Sequence, residues 1–360
     1  MRAADEVRQV AGRFPQHPKI GEIPNMLWQI AEELAARGYH DEAIEVWTDL
    51  TVHYPTHSQA LQARYRIAQT YQNRLGRPLK AAEAYMELNF ARADDAAAQQ
   101  NIQDRIFGIG AQLKNEQRWV EALHVLESFV ASFPKHARAG EALTMVGQIH
   151  QSNQAWQDAI AAYERVILEF PEGQWVRTAK WAIAECTINL SQWREAMLAY
   201  YDYLKVYPGD ANKPEAERRI GILKDLSRYQ ALVDEEDHKK AFDAQYQIAE
   251  IVLKQLSNRV KAIIEYRKVT EGWPESHLAD DALHQVGVTY LAMNKTGPAR
   301  EALRRVAAEY PNSPLADDAM FRVGQSYEDE ARQLSAVTRA ESLERAQLEQ
   351  WRLGVYAPRK

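Results

Sequence analysis

The sequence predicts an all-α protein, a superhelical solenoid of antiparallel helix pairs. Three observations predict it. Aromatic–proline pairs recur and end at Pro15, Pro55, Pro134, Pro171, Pro208, Pro274 and Pro311, with 37 residues from Pro134 to Pro171, Pro171 to Pro208 and Pro274 to Pro311. Twelve residues before each proline stands an alanine: Ala3, Ala43, Ala122, Ala159, Ala196, Ala262 and Ala299. Twelve residues before most of those comes another small residue, as in Ala31, Gly110, Gly147, Ala184 and Gly287, with Gly324 in the same place in the last unit. A fixed period of this size marks an array in which each unit packs only on its neighbours.

Each element has a local reason. Four residues after the alanine comes a large apolar side chain, namely Trp47, Leu126, Tyr163, Tyr200, Tyr266 or Leu303, which puts both on one helical face. Burying one such side chain is worth roughly 1.5 to 3 kcal/mol. The proline then ends this second helix, because it lacks an N–H and disfavours helical geometry in the residue before it. The upstream small residue marks where a first helix crosses the second, and turns such as "GYHDEA", "QRWVEA" and "SQWREA" join the two.

In chain order the expectation is a lone second helix over 1–15, then full units at 22–55, 58–93, 98–134, 137–171 and 176–208. Units resume at 240–274, 278–311 and 315–358. Unit 58–93 lacks the proline and has a longer turn, "NRLGRPLKA"; the last unit carries about ten extra residues around "ARQLSAVTRAE". Segment 209–239 keeps helical periodicity without an aromatic–proline end and reads as a degenerate helical pair or hinge between arrays 1–208 and 240–360. Because Ala3 and Pro15 align with the second helix, Met1 falls inside a unit whose first helix is absent, and the chain is expected to be a piece of a longer array.

Small, alanine, large apolar and proline positions at these offsets resemble the tetratricopeptide repeat family, whose unit is three residues shorter; the extra residues lie in the corner after the proline. The resemblance covers nearly the whole chain and implies a right-handed superhelix that works by binding proteins. Corners with "FP" or "YP" resemble a subclass common in bacterial cell-envelope proteins, so a periplasmic or envelope setting is favoured over the cytoplasm. Where the family grips chaperone C-termini it uses a Lys, Asn and Arg clamp. The matching positions here are mainly aromatic, acidic or amide, so that activity is not implied.

Composition narrows the function. A balance of 44 basic against 50 acidic residues argues against nucleic acid as the main partner. Neither a run of 18 apolar residues nor a signal-peptide pattern is present, so no membrane span is expected. The single cysteine, Cys186, excludes an internal disulfide and thiolate-rich zinc sites, and it reads as buried and inert. Phosphate-loop, metalloprotease, nucleophile-elbow and haem motifs are missing, and the Gly-x-Gly of "FGIGAQL" sits within a helix. No enzyme activity, cofactor or metal is expected.

One constellation remains. Three residues before the small crossing residue, a first-helix side chain points into the concave groove: Trp28, Tyr65, Phe107, Thr144, Trp181, Tyr246, His284 and Phe321. Nearby stand Glu32, Gln69, Asp104, Glu141, Gln148, Glu185, Asp243, Glu250, Asp281, Asp318 and Gln325. The row reads as an aromatic, acidic trough that holds a basic or amide-bearing peptide or protein, since aromatic anchors are the usual interface hot spots. Its partner-binding candidates are Trp28, Tyr65, Phe107, Trp181, Glu185, Tyr246, Glu250, His284 and Phe321. In the alternative, these aromatics fill space between neighbouring first helices. The expected function is a non-catalytic scaffold within a bacterial multiprotein assembly; alternatives are a spacer assembling through its ends and convex face, or the regulatory arm of a larger enzyme.

Overall fold

A computed structural model describes residues 20–91, 96–235, 238–333 and 344–348, and positions 4, 6, 7, 9 and 13 singly. Among the described residues there is no strand. After a 3-10 turn at Ile20–Glu22, sixteen helices follow in the described chain. They are α1 (Ile23–Ala36), α2 (His40–His53), α3 (Ser58–Asn73), α4 (Pro78–Ala91), α5 (Ala96–Asn115), α6 (Trp119–Ser132), α7 (Ala139–Ser152) and α8 (Trp156–Glu169). Then come α9 (Val176–Asn189), α10 (Trp193–Val206), α11 (Lys213–Asp234), α12 (His238–Lys254), α13 (Arg259–Gly272), α14 (Ala279–Ala292), α15 (Thr296–Glu309) and α16 (Ala316–Gln333). The expected lone helix over 1–15, with Ala3 and Pro15, lies outside the described residues but for those single positions, as does most of the extension of the last unit.

The chain divides into two compact units, Met1–Cys186 and Thr187–Lys360. In the first, α1 to α8 each pack on the next, and α1 also meets α3, α4 meets α6 and α5 meets α7. In the second, α10 to α16 pack in the same sequential way. This is the all-α solenoid that the periodicity predicts.

The close crossings have a measurable cause. A β-carbon on Gly147 would stand 2.6 Å from the ring of Tyr163, and one on Gly287 would stand 2.5 Å from Leu303. Ala159 and Ala299 on the second helices are fully buried beside them. The corners are equally uniform. Phe133 and Phe170 end α6 and α8 with φ near −131° and ψ of 56° and 54°, outside the helical basin. Each donates its backbone N–H back into the helix and accepts one from three residues on, as in His136 to Phe133 at 3.0 Å. Proline in the following position blocks any continuation.

Hairpin turns show a feature that periodicity does not predict. After α1 the left-handed position is Gly38, at φ 86°. At the later turns Gln117, Gln154, Ser191, Ser257 and Asn294 hold φ between 53° and 60°. Only glycine adopts that conformation without cost, so tertiary packing holds five other residues there.

Segment 209–239, expected to be a degenerate helical pair or hinge, holds one 22-residue helix, α11, entered through Pro214. Its apolar residues, including Ala216, Leu223 and Leu226, are buried in one continuous face, and no residue between them stops the helix. A second exception lies in the same unit. Glu265 of α13 is fully buried with Lys261 at 3.2 Å, Lys268 at 2.7 Å and Ser191 Oγ donating at 2.6 Å. Gln245 Nε2 donates to it at 2.9 Å, and Lys261 Nζ donates to the carbonyl of Asn189 at 2.9 Å. This cluster ties the turn before α10 to α12 and α13.

Candidate functional site: the first-helix face

The residues three before each crossing point fall on first helices at one register position, but their exposure differs. Within the first unit, Trp28 (α1), Tyr65 (α3) and Trp181 (α9) are half-buried, whereas Phe107 (α5) and Thr144 (α7) are buried. Within the second, Tyr246 (α12) is half-buried, His284 (α14) is buried and Phe321 (α16) is 48% exposed.

The physical reason for the partial burial of Trp28, Tyr65 and Tyr246 is that each ring leans on the second helix of its own hairpin. Trp28 meets Trp47 with centroids 6.5 Å apart, Tyr65 meets Tyr85 at 6.2 Å and Tyr246 meets Tyr266 at 5.5 Å. Such pairs are worth about 0.5 to 1.5 kcal/mol beyond area burial. Phe107 goes further. It packs edge-on to Phe129 at 5.7 Å, and the Arg138 guanidinium covers its other side at 3.6 Å. Phe107 and His284, expected to face a partner, are both buried.

The acidic neighbours are also not free charges. Glu32 pairs with Arg66 at 3.1 Å, and Arg138 forks onto Glu141 at 2.9 and 3.2 Å. Lys114 donates to Gln148 at 2.6 Å, and Asp104 lies 3.6 Å from His136. In the second unit His284 Nε2 sits 2.7 Å from Asp318, which also accepts from Arg322 at 2.6 Å. Burial works against ionisation of Asp318, yet Arg322 and His284 hold its carboxyl below the usual range. Glu250 pairs with Lys254 and accepts the hydroxyl of Tyr266. Glu185 is half-buried at the end of the first unit.

Three of these contacts join residues 34 apart, Glu32 with Arg66, Lys114 with Gln148 and His284 with Asp318. Polar side chains on consecutive first helices thus stitch repeat to repeat. Acidic side chains gather around Tyr246. Burial, then the charges of Glu250, Asp281 and Asp280, push its phenol up to about 12. Burial and the adjacent Asp280 likewise raise Asp281 above the usual carboxylate range.

The cations Arg66, Lys114 and Arg138 escape a reading that follows one register position. Searching for opposite charge at an offset of 34 finds Arg66 from Glu32. Cys186 is fully buried as expected, and burial pushes its thiol up to about 12. Among the described residues no cluster of three or more His, Cys, Asp or Glu could hold a metal ion, and no helix is long and apolar enough to cross a membrane.

The tetratricopeptide repeat model matches residues 141–173 and 281–313, one hairpin with its corner in each unit. No curated protein matches the chain. Among solved structures it is similar to a tetratricopeptide repeat protein from Parabacteroides merdae, with 12% identity over 82% of this chain and 96% of that one, at a TM-score of 0.29. The C-terminal part of a repeat-containing protein from Cytophaga hutchinsonii matches at 14% identity over 81% and 98%, also at 0.29. YrrB, described as a repeat protein with an unusual peptide-binding site, matches at 16% identity over 66% and 98%, at 0.26.

Proposed function

We propose that this array of tetratricopeptide-type hairpins is a protein–protein interaction scaffold that receives a peptide or protein segment on its first helices. The observation that carries the proposal is the set of half-buried rings, Trp28, Tyr65 and Trp181 in one unit and Tyr246 in the other, of which Trp28, Tyr65 and Tyr246 are braced from behind by the second helix of their hairpin. A ring held in one orientation but open on one side loses little freedom when a partner covers it. Phe321 extends the same register position in the second unit. Near Tyr246 the acidity of Glu250, Asp280 and Asp281 favours basic or amide-bearing segments.

Peptides selected from a displayed random library on the whole chain test this reading. Replacing Trp28 and Trp181 by alanine should weaken the selected peptides by about 2 kcal/mol or more, roughly 30-fold, with helicity unchanged. Indifference of the peptides to both replacements would refute it.

The long aromatic–proline corners support a further part of the proposal, a bacterial cell-envelope setting within a larger assembly. Fractionation of cells expressing the native gene tests it: recovery in the cytoplasm alone would contradict it.

A further inference from the structure

Between α1, α2 and α3 lies an open cavity of about 300 Å³ lined by Glu32, Ala35, His40, Trp47, Gln69 and Arg74 among others. Trp47 is 1% exposed, and its indole Nε1 has no hydrogen-bond partner. His40 Nδ1 is likewise buried and without a hydrogen bond, whereas Glu32 Oε1 keeps its ion pair with Arg66 at 3.1 Å. An unmade hydrogen bond on a buried polar atom is costly, so two on one cavity need a cause.

Sister hairpins of the same unit supply it. In α3/α4 the hydroxyl of Tyr85 donates to Gln72 Oε1 at 3.1 Å, and in α7/α8 that of Tyr163 donates to Gln151 Oε1 at 2.5 Å. Gln72 and Gln151 each stand four residues after the small crossing residue, Ala68 or Gly147. In the first hairpin that position is Ala35, four after Ala31. The carboxamide that satisfies the buried aromatic elsewhere is missing here, and a cavity takes its place.

We infer that this cavity is a subsite for a primary carboxamide, the side chain of a Gln or Asn in a bound segment. Its carbonyl accepts from Trp47 Nε1, and its NH₂ donates toward Glu32. A carboxylate would face Glu32, and an ammonium would face Arg66 and Arg74; a neutral group carrying both donor and acceptor meets the indole and the carboxylate together. The volume far exceeds what a single water takes up, about 30 Å³, and admits a side chain. The inference rests on the scaffold reading and names the chemistry of one of its contacts.

The test follows the indole N–H resonances of the ¹⁵N-labelled full chain, with Trp47 identified by its loss in Trp47→Phe. The probes are acetyl-Gly-Ser-Gln-Ser-Gly-amide and the same peptide with Glu or Leu at the centre. The Gln peptide should move the Trp47 resonance at low millimolar concentration, the Glu and Leu peptides should not, and Ala35→Gln should weaken the response at least tenfold by filling the cavity from within. Equal response to Glu or Leu, no Trp47 response, or a response that survives Ala35→Gln overturns the subsite. Library-selected peptides that move Trp28 and Trp181 but not Trp47 leave the scaffold reading standing and overturn the subsite alone.

Discussion

Gly147 faces Tyr163 so closely that a β-carbon would lie 2.6 Å from ring carbon Cε1. The aromatic ring is buried, so it cannot swing out of the way without opening the crossing. Gly147→Ala should therefore destabilise the chain by about 1 to 3 kcal/mol, the usual range for overpacking. Gly221 in α11 has nothing within 4 Å of the same point. There the same change should stabilise by about 0.5 to 1 kcal/mol through helix propensity. Urea unfolding of the two variants checks both signs.

Gln154 holds φ 60° in the turn between α7 and α8. Left-handed backbone costs a side-chain-bearing residue about 1 to 2 kcal/mol, and part of that relief is offset by the larger chain entropy of unfolded glycine. Gln154→Gly should raise stability by about 0.5 to 1 kcal/mol, whereas Gln154→Val should lower it, since β-branching makes positive φ worse. Thermal unfolding of the pair reads the difference.

Glu265 is fully buried against Lys261 and Lys268. Burial opposes its charge, but Lys268, Lys261 and the hydroxyl of Ser191 hold its carboxyl below the usual range; burial lowers Lys261 as well. With two cations around one anion, the carboxylate stays ionised and the deeper lysine carries the desolvation cost. Glu265→Ala should cost about 3 to 5 kcal/mol because it strands Lys261. A depressed carboxyl contributes stability above its ordinary value of 4.5, and that contribution disappears as pH falls through the folded value. Stability of the native chain should thus drop more steeply below pH 4.5 than that of Glu265→Gln, as followed by urea midpoints across acid pH.

Cys186 is fully buried and its thiol is pushed up to about 12. An aromatic disulfide reagent at neutral pH should modify it only in urea, at a rate set by opening of the array. Prompt modification of the folded chain would contradict its placement.

The hairpins and corners were legible because steric demands repeat: Ala159 with Tyr163, Gly147 across from it and Pro171 beyond recur as a set. What the sequence hid has physical causes. The helix α11 carries no stop signal between Lys213 and Asp234, so periodicity alone left its length open. Exposure of a ring depends on neighbours from other segments: Arg138 roofs Phe107 from the start of the next hairpin, and only the folded chain places it there. The acidic row was visible, but part of its compensation comes from a neighbouring helix, as Arg66 does for Glu32. The left-handed turns were silent because Gln and Ser do not advertise positive φ as Gly38 does.

Backbone hydrogen exchange of the full chain with a library-selected peptide tests the central claim most directly. Binding should slow exchange in the first helices of the unit that takes the peptide: α1, α3 and α9, which carry Trp28, Tyr65 and Trp181, or α12, which carries Tyr246. Slowing confined to the second helices α2, α4, α8 and α13, with those first helices unchanged, would contradict it.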